Sequence, residues 1–147
     1  MNTNFNPYGA LVMRVSLGVV LIAHSLYLKM MVFSLAGTAS YFDSIGLPSW
    51  FAYAVFIVEV VTGVLLIIGY KTRLAAAIVV PVLLGATWAH SGNGWLFTAE
   101  NGGWEYPLFL SLIAVSVALT GPGAIALEAN KTSFMEELNS VKALSNS

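Results

Sequence analysis

The chain has 147 residues, 58% hydrophobic and only 9% charged, with a net charge of −1 and no Cys. A soluble domain carries about 25% charged residues, so a water-facing globule is excluded and lipid is the expected solvent, as the mean hydropathy of +0.81 also indicates. The near-neutral balance leaves no basic footprint for nucleic acid, and the missing thiols remove disulfides, thiol redox chemistry and thiolate metal or iron–sulfur ligation.

About 20 apolar residues cross a bilayer as a helix. On that measure the sequence predicts four spans, over about 8–30, 49–70, 73–90 and 104–121. The first could be mistaken for a cleaved signal peptide, since Arg14 precedes an apolar run. However, Arg14 sits deep, the segment continues too long, and Lys29 interrupts it. The connection after it ends in Thr38 to Ile45 followed by Gly46 and Pro48, a pattern that predicts a short interfacial helix with a Gly stop. The second span carries one charge, Glu59, and Gly63 one turn later permits close helix approach. Lys71-Thr72 makes a tight turn, so the second and third spans are antiparallel neighbours. Pro81 lies inside the third span, and Gly85 with Ala89 forms a small-xxx-small pair for helix contact, within the bundle or between protomers.

The loop SGNGWLFTAENGGW follows, with Trp95, Phe97 and Trp104 among Gly-Asn turn signals. Those aromatics fit an interfacial belt or a lid over a binding site. Glu105 opens the fourth span, where a first-turn carboxylate suits the helix dipole. Gly121-Pro122-Gly123 closes it. Residues 1–127 thus form one membrane domain, and 128–147 a tail. There Ser133 and Glu136 are spaced as a capping box before a short amphipathic helix. Lys71, Arg73, Arg14 and the tail lysines Lys131 and Lys142 fall on one side, against Lys29 alone on the other. Both termini are therefore expected in the cytoplasm. The fold class is an all-α integral membrane four-helix bundle.

A charge at the centre of a span costs at least about 2.5–3.5 kcal/mol, so each one demands a partner, a wet cavity or the headgroup region. At about 100° per residue, Arg14, Gly18, Leu21, Ser25 and Lys29 share one helix face, with His24 on an adjacent face. A rise of 1.5 Å per residue puts Arg14 about 9 Å, Glu59 about 16 Å, His24 about 24 Å and His90 about 25 Å above the cytoplasmic end. Glu59 is then expected to meet Arg14 as a register-fixing ion pair, or to act as a proton-handling or ligand-binding carboxylate. Lys29 is expected to snorkel to the outer interface. His24 and His90 at matching depth raise a bis-His haem or metal site, disfavoured because imidazole alone fixes neither identity nor geometry.

Taken together, Arg14, Gly18, His24 and Lys29, then Gly46-Leu47-Pro48, Glu59, Gly63, Gly69, Thr72-Arg73-Leu-Ala-Ala, Asn101-Gly102-Gly103 with Glu105, and Gly121-x-Gly123 resemble the DoxX family of small four-span bacterial membrane proteins. The resemblance covers the chain to about Leu127. Ser25 stands where that family often has Gly, and the tail has no counterpart. It implies a four-helix bundle in the bacterial inner membrane. Some relatives are subunits of thiosulfate:quinone oxidoreductase and others are linked to membrane redox complexes.

Two functions follow as expectations. One is a quinone-linked redox subunit with a polar pocket in the outer half of the bundle. Glu59 and His24 would handle protons there, Arg14, Lys29, His90 and Glu105 would bind the ligand, and a partner protein or a bound cofactor would supply electrons. The other is a non-enzymatic binding, transport or assembly protein for a small polar ligand, with transport favouring a homo-oligomer.

Overall fold

The computed structural model describes residues 5–128, and its regular elements are all helical. α1 (Asn6–Ile22) passes directly into a π-helical segment, Ala23–Val32. Then come α2 (Leu35–Ser44), α3 (Ser49–Ile68), α4 (Thr72–Ala89), a single 3-10 turn at Ser91–Asn93, and α5 (Glu105–Thr120). Asn6–Val32, Ser49–Ile68 and Thr72–Asn93 are long and apolar enough to cross a membrane. α5 is apolar but has 16 residues, about 24 Å at 1.5 Å per residue, against a hydrocarbon core of about 30 Å. The candidate capping box at Ser133 and Glu136 lies outside the described residues.

Local chemistry accounts for the helix ends. Pro7 lies in the first turn of α1, where its missing N–H costs nothing. Ser34 caps α2 by accepting from the Gly37 N–H at 3.0 Å, so this helix begins three residues before Thr38, and Gly46 at φ +84° follows its end. Gly69 terminates α3 in the left-handed conformation, its N–H and that of Tyr70 both bonding the Leu65 carbonyl at 3.0 Å. The chain turns through Lys71 and starts α4 at once, so α3 and α4 run side by side.

Two close approaches set the packing. A Cβ on Gly18 would stand 2.8 Å from the Gly63 carbonyl oxygen, and one on Gly63 would stand 3.1 Å from that of Gly18. These glycines let the α1 and α3 backbones touch, which matters in lipid, where helices associate through packing rather than water exclusion. Ala75, Ala76 and Ala114, all fully buried, do the same for α4 and α5. The core closes around them with Leu17, Leu21, Leu66, Val79, Leu83, Leu110 and Val117. Gly85 instead faces out of the bundle, and among the described residues nothing lies within 4 Å of a Cβ built there.

One end of the bundle holds the α3–α4 turn, the start of α1 and the segment after α5. There Ala124 N–H bonds the Pro7 carbonyl at 2.8 Å and Glu128 N–H that of Gly69 at 3.1 Å. The opposite end holds the π-helical segment, α2 and the 91–104 loop.

Candidate functional site

Arg14 is fully buried, and its guanidinium hydrogen-bonds to backbone carbonyls rather than to Glu59. Its guanidinium donates to the carbonyls of Leu66 at 2.6 Å and Ile67 at 2.9 Å, in the last turn of α3. It also donates to Pro122 at 2.9 Å, Ala124 at 3.3 Å and Ile125 at 3.1 Å, in the segment after α5. This corrects the expected Arg14–Glu59 ion pair. The last carbonyls of a helix have no intrahelical donor, and a planar fork of five N–H groups satisfies several such acceptors at once. Arg73 repeats the device at the end of α5, donating to the Leu119 carbonyl at 2.6 Å and that of Ala118 at 3.0 Å.

Glu59 is paired, but with the other cation of the first span. Lys29 Nζ forms an ion pair with Glu59 Oε2, and Ser25 Oγ donates to the same oxygen at 2.6 Å. The side chains of Lys29 and Glu59 are 19% and 8% exposed. The expected snorkelling of Lys29 to the interface is therefore also corrected. A buried carboxylate is a stronger attraction than the headgroups when the geometry permits contact, because an unpaired charge in the bundle is the costlier state. Both donors lie on the π-helical segment. Such i→i+5 turns are rare and frequent at functional sites.

The remaining candidates divide between two places. His24 is half-buried and stacks on Tyr106 of α5, ring centroids 5.9 Å apart and planes at 24°. Its Nδ1 lies 3.0 Å from the Val20 carbonyl. A carbonyl only accepts, so Nδ1 carries the proton and Nε2 is the free acceptor of the neutral ring. His24 and Ser25 are consecutive, so one turn of the chain addresses α5 with the first and Glu59 of α3 with the second.

His90 serves the loop. Its Nδ1 donates to the Gly102 carbonyl at 3.0 Å, and Asn93 Nδ2 donates to the carbonyls of Gly102 at 2.9 Å and Asn101 at 3.1 Å. Glu105 does likewise, accepting from the Phe97 N–H at 2.9 Å. Among the described residues, no hydrogen bond or ring contact joins His90 to His24 or Glu59.

Trp95 packs edge-on against Trp104 with centroids 4.5 Å apart. With Phe97 it walls one side of an open groove of about 390 Å³, whose other side is Glu105, Tyr106, Phe109 and Leu112 of α5. Tyr106 thus belongs both to this groove and to the His24 stack. Its sequence position beside Glu105 at a helix start carried no sign of that, because the partnership is between helices distant in the chain.

The comparisons with known proteins agree on family. A sequence profile described as DoxX matches residues 9–92. A Bacillus subtilis (strain 168) protein named "Putative oxidoreductase CatD" is 33% identical over 128 residues, covering 87% of this chain and 90% of that one. No solved structure gives a significant match.

Proposed function

We propose a membrane redox role for this chain, which belongs to the DoxX family: it is a subunit that exchanges protons with a quinone while a partner protein exchanges electrons. The observation that carries this is the Ser25–Lys29–Glu59 cluster, an ion pair with an added hydroxyl set in a π-helical turn of an apolar bundle. Reduction of a quinone consumes two electrons and two protons. The chain has no thiol, so it offers no dithiol couple of its own, and this reading assigns the electrons to a partner. Proton exchange is what its residues suit: Glu59 and Lys29 form an ion pair of two titratable groups, and His24, a third, precedes Ser25 of that cluster in the chain. The oxidoreductase name of the Bacillus relative supports the same reading. To test it, the protein would be purified in mild detergent and its quinone content measured against phospholipid. A ratio several-fold above that of the source membrane is expected. A ratio equal to the membrane's sinks the reading.

The topology that goes with this function has α5 as a fourth span in the bacterial inner membrane, with the α3–α4 turn in the cytoplasm. Lys71, Arg73 and Arg14 at that end, against Lys29 at the other, support this orientation. Reporter fusions after Leu127 and within residues 91–104 should then report opposite sides. The same side for both would overturn it.

A further inference from the structure

We propose that the groove beside α5 and the His24–Tyr106 ring pair together seat a quinol, the hydroquinone form of an isoprenoid quinone, with its hydroxyl on His24 Nε2 and its tail in the groove. This rests on the quinone reading above and adds to it the place, and the redox form that is preferred.

Three observations carry it. The groove walls are apolar and exposed, Phe97, Phe109 and Leu112 by 64%, 58% and 58%, and with α5 as a fourth span they face lipid. The one charged wall residue, Glu105, already accepts from the Phe97 N–H, so the walls suit a hydrocarbon tail, which arrives there by lateral diffusion, better than a polar solute. The volume of about 390 Å³ falls within the roughly 300–1,000 Å³ of small-molecule sites. Next, Tyr106 is a groove wall on one hand and the stacking partner of His24 on the other. An amphiphile lying in the groove therefore has its head directed to the imidazole, one residue from Ser25 and its bond to Glu59.

The third observation is the tautomer. With Nδ1 committed to the Val20 carbonyl, neutral His24 offers only an acceptor at Nε2. A quinol hydroxyl donates to it. A quinone carbonyl is itself an acceptor and cannot. The imidazole thus discriminates between the two redox forms of one ligand, and the hydroxyl proton it accepts is the one that must leave or arrive when the ring changes oxidation state.

The test uses the full chain in nanodiscs of phosphatidylethanolamine and phosphatidylglycerol. The ligands are decylubiquinol and menaquinol-1, their oxidised forms, and tail-less ubiquinol-0, titrated by Trp fluorescence, to which Trp95 in the groove wall responds. The quinols should bind about two- to tenfold tighter than the quinones, the range of one neutral hydrogen bond. His24→Phe keeps a ring against Tyr106 and should abolish that preference with quinone affinity unchanged. His24→Gln, which retains an acceptor, should keep part of it. Leu112→Trp fills the groove and should weaken both tailed forms by about threefold or more through lost packing, while leaving ubiquinol-0 unaffected. If His24→Phe leaves the quinol preference intact, or Leu112→Trp leaves tailed ligands untouched, the seat is elsewhere and the quinone reading survives. If no quinone or quinol binds the unaltered protein, both fall.

Discussion

Replacing Arg14 by Met is expected to lower the stability of the detergent-solubilised protein by at least about 3 kcal/mol, since each buried acceptor left without a donor costs about 1–3 kcal/mol. Five backbone carbonyls lose their donor at once, and a Met side chain offers them nothing. Two of those carbonyls end α3 and three belong to the segment after α5, so the guanidinium is the tie between the two. That segment is held in a costly form: Ile125, a β-branched residue, sits at φ +51° with its side chain 77% exposed. Such a conformation persists only where its surroundings over-determine it, and here the Arg14 bonds do so together with the bond from the Ala124 N–H to the Pro7 carbonyl. Hydrogen exchange over residues 122–127 should accordingly rise in Arg14→Met even where the helices stay protected. Arg14→Lys should recover less than half of the loss, because three donors on a point charge cannot span acceptors arranged for a planar fork. A loss under about 1 kcal/mol in Arg14→Met, measured by denaturant titration in fixed detergent, would refute this account.

The sequence told that Arg14 needed a partner but not which one. Charge cost in lipid is readable from residue type and depth alone, and it singled out Arg14 and Glu59 as residues that must be satisfied inside the bundle. The search for a partner then went to side chains, since backbone carbonyls leave no mark in a sequence. Lys29 was misplaced for a related reason. It was sent to the headgroups because a long cation near a span's end can reach them, and nothing in AHSLYLKMMV announces that Ala23–Val32 winds as a π-helix. The helical class, the Gly63 approach and the stop at Gly46 were legible because each depends on local composition or on a backbone freedom peculiar to glycine. The groove was not, because its walls come from a loop and a helix face whose residues are ordinary for a lipid boundary. The His24–Tyr106 contact was hidden in the same way, being a pairing across 82 positions of chain (106 − 24) with no pattern to link them.

The second large effect concerns Glu59, and it separates the observed partner from the one the depths suggested. Glu59→Gln and Lys29→Met should each cost about 1–3 kcal/mol, less than the 3–5 kcal/mol of a fully buried broken pair, because Lys29 keeps 19% of its side chain exposed. Together they should cost less than the sum of the two by about 1 kcal/mol or more, since the double variant leaves no orphaned charge. The same cycle with Arg14→Lys in place of Lys29→Met should be additive within about 0.5 kcal/mol, because Arg14 spends its donors on carbonyls. Additivity of Lys29 with Glu59, or coupling of Arg14 with Glu59, would show the ion pair to be wrongly assigned. The double variant also divides structure from chemistry. Gln and Met at these two positions restore a neutral interior, so the bundle should regain most of its stability while losing the groups that exchange protons. Quinone retained at the unaltered protein's ratio, together with lost quinone turnover in membranes containing the electron-donating partner, is the expected pairing of results. Turnover undiminished in that stable double variant would remove Glu59 and Lys29 from the proton path and leave their ion pair a purely structural contact between α3 and the π-helical turn.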